Sequence, residues 1–139
     1  MSASQLPKST PSGRLMIIAN VPVKLGKEQI VYDLIKATQQ RANSEEEPGT
    51  LTFRIARRVD KEGNYLPVFV AIEEYKNMQA HREHRTSPPL QTLVKALKES
   101  GILDGEITAD FVDGLAFVAQ PDTRLMIYLS LNARGGEDL

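Results

Sequence analysis

Two stretches with a side-chain period of two face each other across a short polar turn, and a segment of helical period stands on each side of them. In the first, Leu51, Phe53 and Ile55 alternate with Thr52, Arg54 and Ala56. In the second, Val68, Val70 and Ile72 alternate with Phe69, Ala71 and Glu73 before Tyr75. Asp60-Lys61-Glu62-Gly63-Asn64 between them is turn chemistry, so the pair reads as an antiparallel hairpin. A central hairpin flanked by helices leaves few folds open.

Upstream, the apolar run Leu15 to Ala19 ends near Pro22, as a buried strand would. Lys24-Leu25-Gly26 turns the chain, and Ile30, Val31, Leu34, Ile35 and Thr38 then recur at helical spacing to about Asn43, with Glu28, Lys36, Gln39 and Gln40 left for solvent. Ser44-Glu45-Glu46-Glu47-Pro48-Gly49 reads as an ordinary solvated acidic loop. Downstream, a short helix is expected over residues 77–85. A second starts at Ser87-Pro88, with Ser as N-cap and Pro at the first helical position. Leu90, Leu93, Val94 and Leu97 line its buried face, and Gly101 follows its end. Residues 107–118 and 124–131 are both apolar enough to supply the last sheet strand.

The order strand, helix, strand, strand, helix, strand is the split βαβ arrangement: an α+β ferredoxin-like plait, an antiparallel sheet with helices on one face. A chain of 139 residues supports one core, so one domain is expected over 14–131, with a disordered tail at 1–13 and a flexible end at 132–139. The third strand is apolar on both faces, and its second face needs a cover. A second copy of the chain supplies that with one self-complementary patch, so a homodimer is expected.

The absence of cysteine removes disulfides, thiolate nucleophiles and thiolate metal sites. Seventeen Lys and Arg against eighteen Asp and Glu leave a net charge of -1, which gives no footprint for nucleic acid or an anionic membrane. No apolar run approaches the roughly 20 residues a transmembrane helix needs, and the polar N-terminus lacks a secretory pattern. A cytoplasmic protein is expected. Gly26, Gly49 and Gly63 are isolated turn glycines and form no phosphate loop or dinucleotide fingerprint, so no nucleotide or flavin cofactor is inferred.

Pro48-Gly49-Thr50-Leu51-Thr52-Phe53-Arg54, then Ile72-Glu73-Glu74-Tyr75, then Ala80 followed by His84 and Ser87-Pro88, resembles the antibiotic biosynthesis monooxygenase domain family over about residues 14–100. The resemblance implies a dimeric α/β barrel. It also implies a small-molecule enzyme, since several members of the family are cofactor-independent oxygenases of aromatic polyketides. Other members are isomerase-like or degrade haem. The haem degraders use a helical Trp and a later axial His, whereas this chain has no Trp and no His after His84.

His84 matches the family's helical histidine and is the expected proton acceptor, imidazole being suited to proton transfer near neutrality. As the acceptor its removal should lower turnover by roughly 10²- to 10⁴-fold with little loss of stability; the plainer reading is a surface or capping histidine. His81, three residues earlier, shares its helix face and can line a substrate site; two histidines alone do not hold a metal, and none is expected. Tyr75 takes the family's strand-end aromatic position, where its phenol can hold a substrate oxygen. Phe53 stands where relatives often carry Tyr and keeps only the stacking surface. Glu73 matches the strand-end acid, or simply pairs with Arg54 across the hairpin. Asn20 ends the first strand as a candidate polar anchor, and Met78 can line a pocket. The expected activity is oxidation of an anthrone or hydroquinone to a quinone by dioxygen, without cofactor. The alternatives are an isomerase, cyclase or decarboxylase on the same fold, or a ligand-binding dimer.

Overall fold

The computed structural model describes residues 6–99 and 101–115. The elements run β1 (Leu15–Pro22), α1 (Glu28–Ala42), β2 (Thr50–Val59), β3 (Tyr65–Tyr75), α2 (Met78–Arg85), α3 (Pro88–Glu99) and β4 (Thr108–Asp113). The four strands form one antiparallel sheet in the order β2-β3-β1-β4. This is the ferredoxin-like plait.

The parity of each strand sorts the sheet into two faces. Leu15, Ile17 and Ala19 of β1, Phe69 and Tyr75 of β3 and Phe53 of β2 are buried on one side, under the helices. Val31, Ile35, Thr38 and Ala42 form the buried stripe of α1, and Leu93 and Leu97 that of α3. Val31, Ile35, Leu93 and Leu97 join Val23, Phe69 and Ile102 in the larger core cluster, each contributing about 1.5–3 kcal/mol through burial. Leu15, Ile17, Ala19, Tyr75 and Ala80 form a second cluster nearer the start of β1.

Several local expectations are corrected. Ile30 is 47% exposed, because the helix stripe is set by Val31 and Ile35 and passes it by. Leu51 is exposed as well: a register shift between Thr50 and Thr52 makes it the extra residue of a bulge. Ser87 precedes α3 and its carbonyl accepts from the Gln91 N–H at 3.0 Å, yet its buried hydroxyl makes no capping bond. Asn77 does cap α2, its side chain accepting from the Ala80 N–H at 2.8 Å.

Among the described residues the fourth strand is taken from the first of the two apolar segments, since Thr108–Asp113 pairs with β1 from Asn20 to Leu15. Residues 124–131 and 132–139 lie outside the described residues. The tail expected over 1–13 is in contact with the domain from residue 6. Leu6 packs against the second core cluster. The Ser12 N–H donates to Asp113 Oδ2 at 3.0 Å, and the Ser12 hydroxyl donates to Asp113 Oδ1 and holds that carboxyl below its usual range.

Candidate functional site

Five polar side chains from three parts of the chain meet beneath α2. Glu73 and Tyr75 lie two residues apart on β3, so both point to the helix side of the sheet. His81 and His84 lie three apart on α2 and are carried onto its buried face. The loop between α1 and β2 brings the fifth, Glu47. Asn43 anchors this loop by donating from Nδ2 to the Phe53 carbonyl at 3.0 Å, and the Gly49 carbonyl accepts from the Lys76 N–H at 3.0 Å.

Glu47 is the residue the sequence did not disclose. Read as part of a solvated acidic run, it is only 6% exposed, and its Oε1 lies 2.6 Å from His84 Nδ1. The Thr50 hydroxyl donates to the same oxygen at 3.1 Å, and Arg41 Nε stands 3.3 Å from Glu47 Oε2. Glu45 and Glu46 remain exposed, so charge alone could not separate the three. The only signal was the neighbouring Pro48-Gly49, whose tight approach to α2 turns Glu47 inward.

His84 is 1% exposed, which removes the surface reading. Its ring lies between Phe53, at 5.1 Å, and Tyr75, at 5.5 Å. With Nδ1 on Glu47, its Nε2 faces Glu73 Oε1 at 3.9 Å. The Tyr75 hydroxyl donates to that Glu73 oxygen at 2.5 Å. A continuous polar line thus runs Glu47, His84, Glu73, Tyr75 inside an otherwise apolar layer. Burial pushes the Glu73 carboxyl up, against the lowering effects of the Tyr75 hydrogen bond and of His84. Burial, reinforced by Glu73, also pushes the Tyr75 phenol far up, so it remains a hydrogen-bond donor. His81 packs its ring against Tyr75 at 5.1 Å, has no partner at Nδ1, and is brought down to about 4 by burial and then by Arg85, His84 and Arg82.

Ala19 pairs with Ala71 on one side and Ala109 on the other, so three alanines cross β3, β1 and β4 in one row on the helix side. The next row reads Phe53, Glu73, Ile17, Phe111. Ala71, Ala109 and Phe111 stay half-buried around the buried Ala19, with the Glu73 carboxyl one row away. Met78, at the start of α2, packs against the same cluster, as does Leu6.

Two candidates are placed elsewhere than expected. Asn20 has the opposite parity to Ala19 and lies on the far sheet face, where its Oδ1 accepts from Arg58 at 2.9 and 2.6 Å, away from the buried polar line. Arg54 is exposed on that far face as well, so Glu73 pairs with Tyr75 rather than across the hairpin. A separate cleft of about 520 Å³ opens between α1 and the β2–β3 hairpin, lined by Tyr32, Arg57, Tyr65 and Phe69 among others; it contains none of the candidate catalytic groups. Among the described residues no group of three or more His, Asp or Glu is arranged to hold a metal ion, and no helix is long and apolar enough to cross a membrane.

The fold is shared with known structures. A Caulobacter crescentus protein described as a candidate antibiotic biosynthesis monooxygenase superposes with a TM-score of 0.64 at 19% identity, covering 76% of this chain and 92% of its own. A Nitrosomonas europaea protein described in the same way gives 0.63 at 18% identity over 76% and 94%. A Bacteroides thetaiotaomicron protein described as a possible oxidoreductase gives 0.59 at 13% identity over 73% and 98%. At these identities the likeness speaks for the fold. No curated protein sequence matches the chain. The sequence model for antibiotic biosynthesis monooxygenases, however, matches residues 14–96, from the start of β1 through most of α3 and across every residue of the buried polar line. By that match, this chain belongs to the antibiotic biosynthesis monooxygenase family.

Proposed function

We propose that the protein is a cofactor-independent monooxygenase acting on an electron-rich aromatic small molecule of the anthrone or hydroquinone class. The observation that carries this reading is the buried line of proton-handling groups set beside an apolar cluster of small and aromatic side chains. Without a cofactor the substrate must supply the electrons, and it does so once a proton is removed. For an anthrone, loss of the ring-methylene proton gives a delocalised anion. One electron passes to dioxygen, and the two radicals combine into a peroxide at that carbon. The peroxide takes up a proton, then loses the remaining C–H proton as its O–O bond breaks. One oxygen atom stays as the new carbonyl and the other leaves as water. The protein contributes a base, a dry site and groups that orient a flat ring.

The same proposal includes a homodimer. Met16, Ile18, Val70 and Ile72 form a half-buried apolar centre on the sheet face away from all three helices, and self-association is the natural cover for such a patch.

The test is oxygen uptake with a panel of anthrones and hydroquinones in the presence of a chelator. Metal-independent uptake linked to quinone formation supports the reading. Product without uptake points to isomerase, cyclase or decarboxylase chemistry, and tight binding without product to a ligand-binding role; either outcome overturns it.

A further inference from the structure

The sequence points to His84 as the proton acceptor, but the geometry separates His84 from any ligand lying on the sheet. Its Nδ1 is taken by Glu47, its ring is covered by Phe53 and Tyr75, and its Nε2 faces Glu73. The side chains of His84 and Glu47 are 2% and 4% exposed, that of Glu73 13%. Glu73 rises from β3 between Phe53 and Ile17, one row from the three alanines. Glu73 is thus the most accessible of the three polar groups, and a ligand approaching past the half-buried Ala71, Ala109 and Phe111 meets its carboxyl before His84.

We propose that Glu73 is the catalytic base that touches the substrate, with His84 as the relay behind it and Glu47 as the residue that positions His84. This rests on the monooxygenase reading above and names the group that performs its first step. The substrate C–H bond breaks, its electron pair stays on carbon, and the proton passes to a Glu73 oxygen. The Glu73 carboxyl and His84 Nε2, 3.9 Å apart, need only a small side-chain adjustment to share that proton. Glu47 accepting from Nδ1–H selects the tautomer whose Nε2 lone pair faces Glu73. The Tyr75 hydroxyl, donating to Glu73 Oε1, fixes the carboxyl's orientation. Burial favours a carboxylate that readily takes up a proton. The remaining titratable groups packed here are His81 on α2 and Arg41 on α1, and neither touches Glu73 through a hydrogen bond or ion pair.

Proton abstraction is readable apart from oxygenation, as exchange of the anthrone methylene hydrogens with deuterated water under argon. Glu73→Gln keeps the size and hydrogen-bonding capacity of the side chain and should lower both exchange and aerobic turnover by about 10²- to 10⁴-fold, with KM little changed. Glu47→Gln is read by nitrogen NMR of the His84 ring: the wild type should carry its proton on Nδ1, and the variant should gain the Nε2–H form, which a purely structural role would not alter. An active wild type matched by Glu73→Gln overturns the assignment of the base and leaves the monooxygenase reading standing. A wild-type His84 protonated on Nε2, or a tautomer unchanged by Glu47→Gln, overturns the relay. A wild type that neither exchanges anthrone nor consumes oxygen with the panel overturns the monooxygenase reading itself.

Discussion

Gly49 and Ala80 touch with no room for a side chain between them: a Cβ on Gly49 would lie 2.5 Å from the Ala80 Cβ and 3.5 Å from its Cα. This contact sets the height of α2 above the loop that carries Glu47, and so the approach of His84 to Glu47. The glycine is demanded here by space.

Gly49→Ala is therefore expected to overpack the junction and destabilise the protein by about 1–3 kcal/mol, with a matching fall in Tm. A variant melting with the wild type would show that α2 is free to move and that the contact does not set its position.

The Glu47–His84 pair is buried, so breaking it leaves one polar group stranded. His84→Ala and Glu47→Ala should each cost about 3–5 kcal/mol, contrary to the little loss of stability expected from the sequence for removal of His84 as the proton acceptor. In urea unfolding the double variant should lose clearly less than the two single losses together. Simple additivity would mean the two side chains act independently.

His81 gives a pH signature. In the folded protein it protonates only at about 4, against 6.5 for the free side chain. The unfolded chain therefore takes up this proton first as pH falls. The stability that neutral His81 contributes is full above about 6.5 and is lost between 6.5 and 4, on the order of 2–3 kcal/mol. His81→Gln should flatten the urea midpoint across that window; an unchanged acid limb would assign it to other groups.

Sedimentation should give roughly twice the 15.4 kDa chain mass at micromolar concentration. Ile72→Glu, on the sheet face away from the helices, should shift the protein toward monomer without unfolding it. A wild type that sediments near the single-chain mass would leave that face without the proposed partner.

The sheet and helices were legible in the sequence because their signals are local. Alternation in β2 and β3, the helical spacing of Val31, Leu34 and Ile35, and that of Leu93 and Leu97 each report which side of an element is apolar, and the split βαβ order follows from their succession. The positions of Phe53, Tyr75, His81 and His84 on the helix side follow from the same periods. Leu51 escaped because a bulge changes parity by one residue without changing composition. Asn20 escaped because the continuous apolar run of β1 hides its alternation; only the pairing of Ala19 with Ala71 shows that Asn20 must face the other way.

What the amino-acid order determined by itself is thus the set of elements, their buried faces and the absence of cysteine chemistry. Tertiary structure decided which later segment closes the sheet, by hydrogen-bonding β4 along β1. It also decided that Glu47 is no solvated loop residue but the partner of His84, 37 positions away. Nothing in an acidic run distinguishes the member that will be buried. That depends on where a distant helix comes to rest, and the buried carboxyl is tolerated only because an imidazole arrives to meet it.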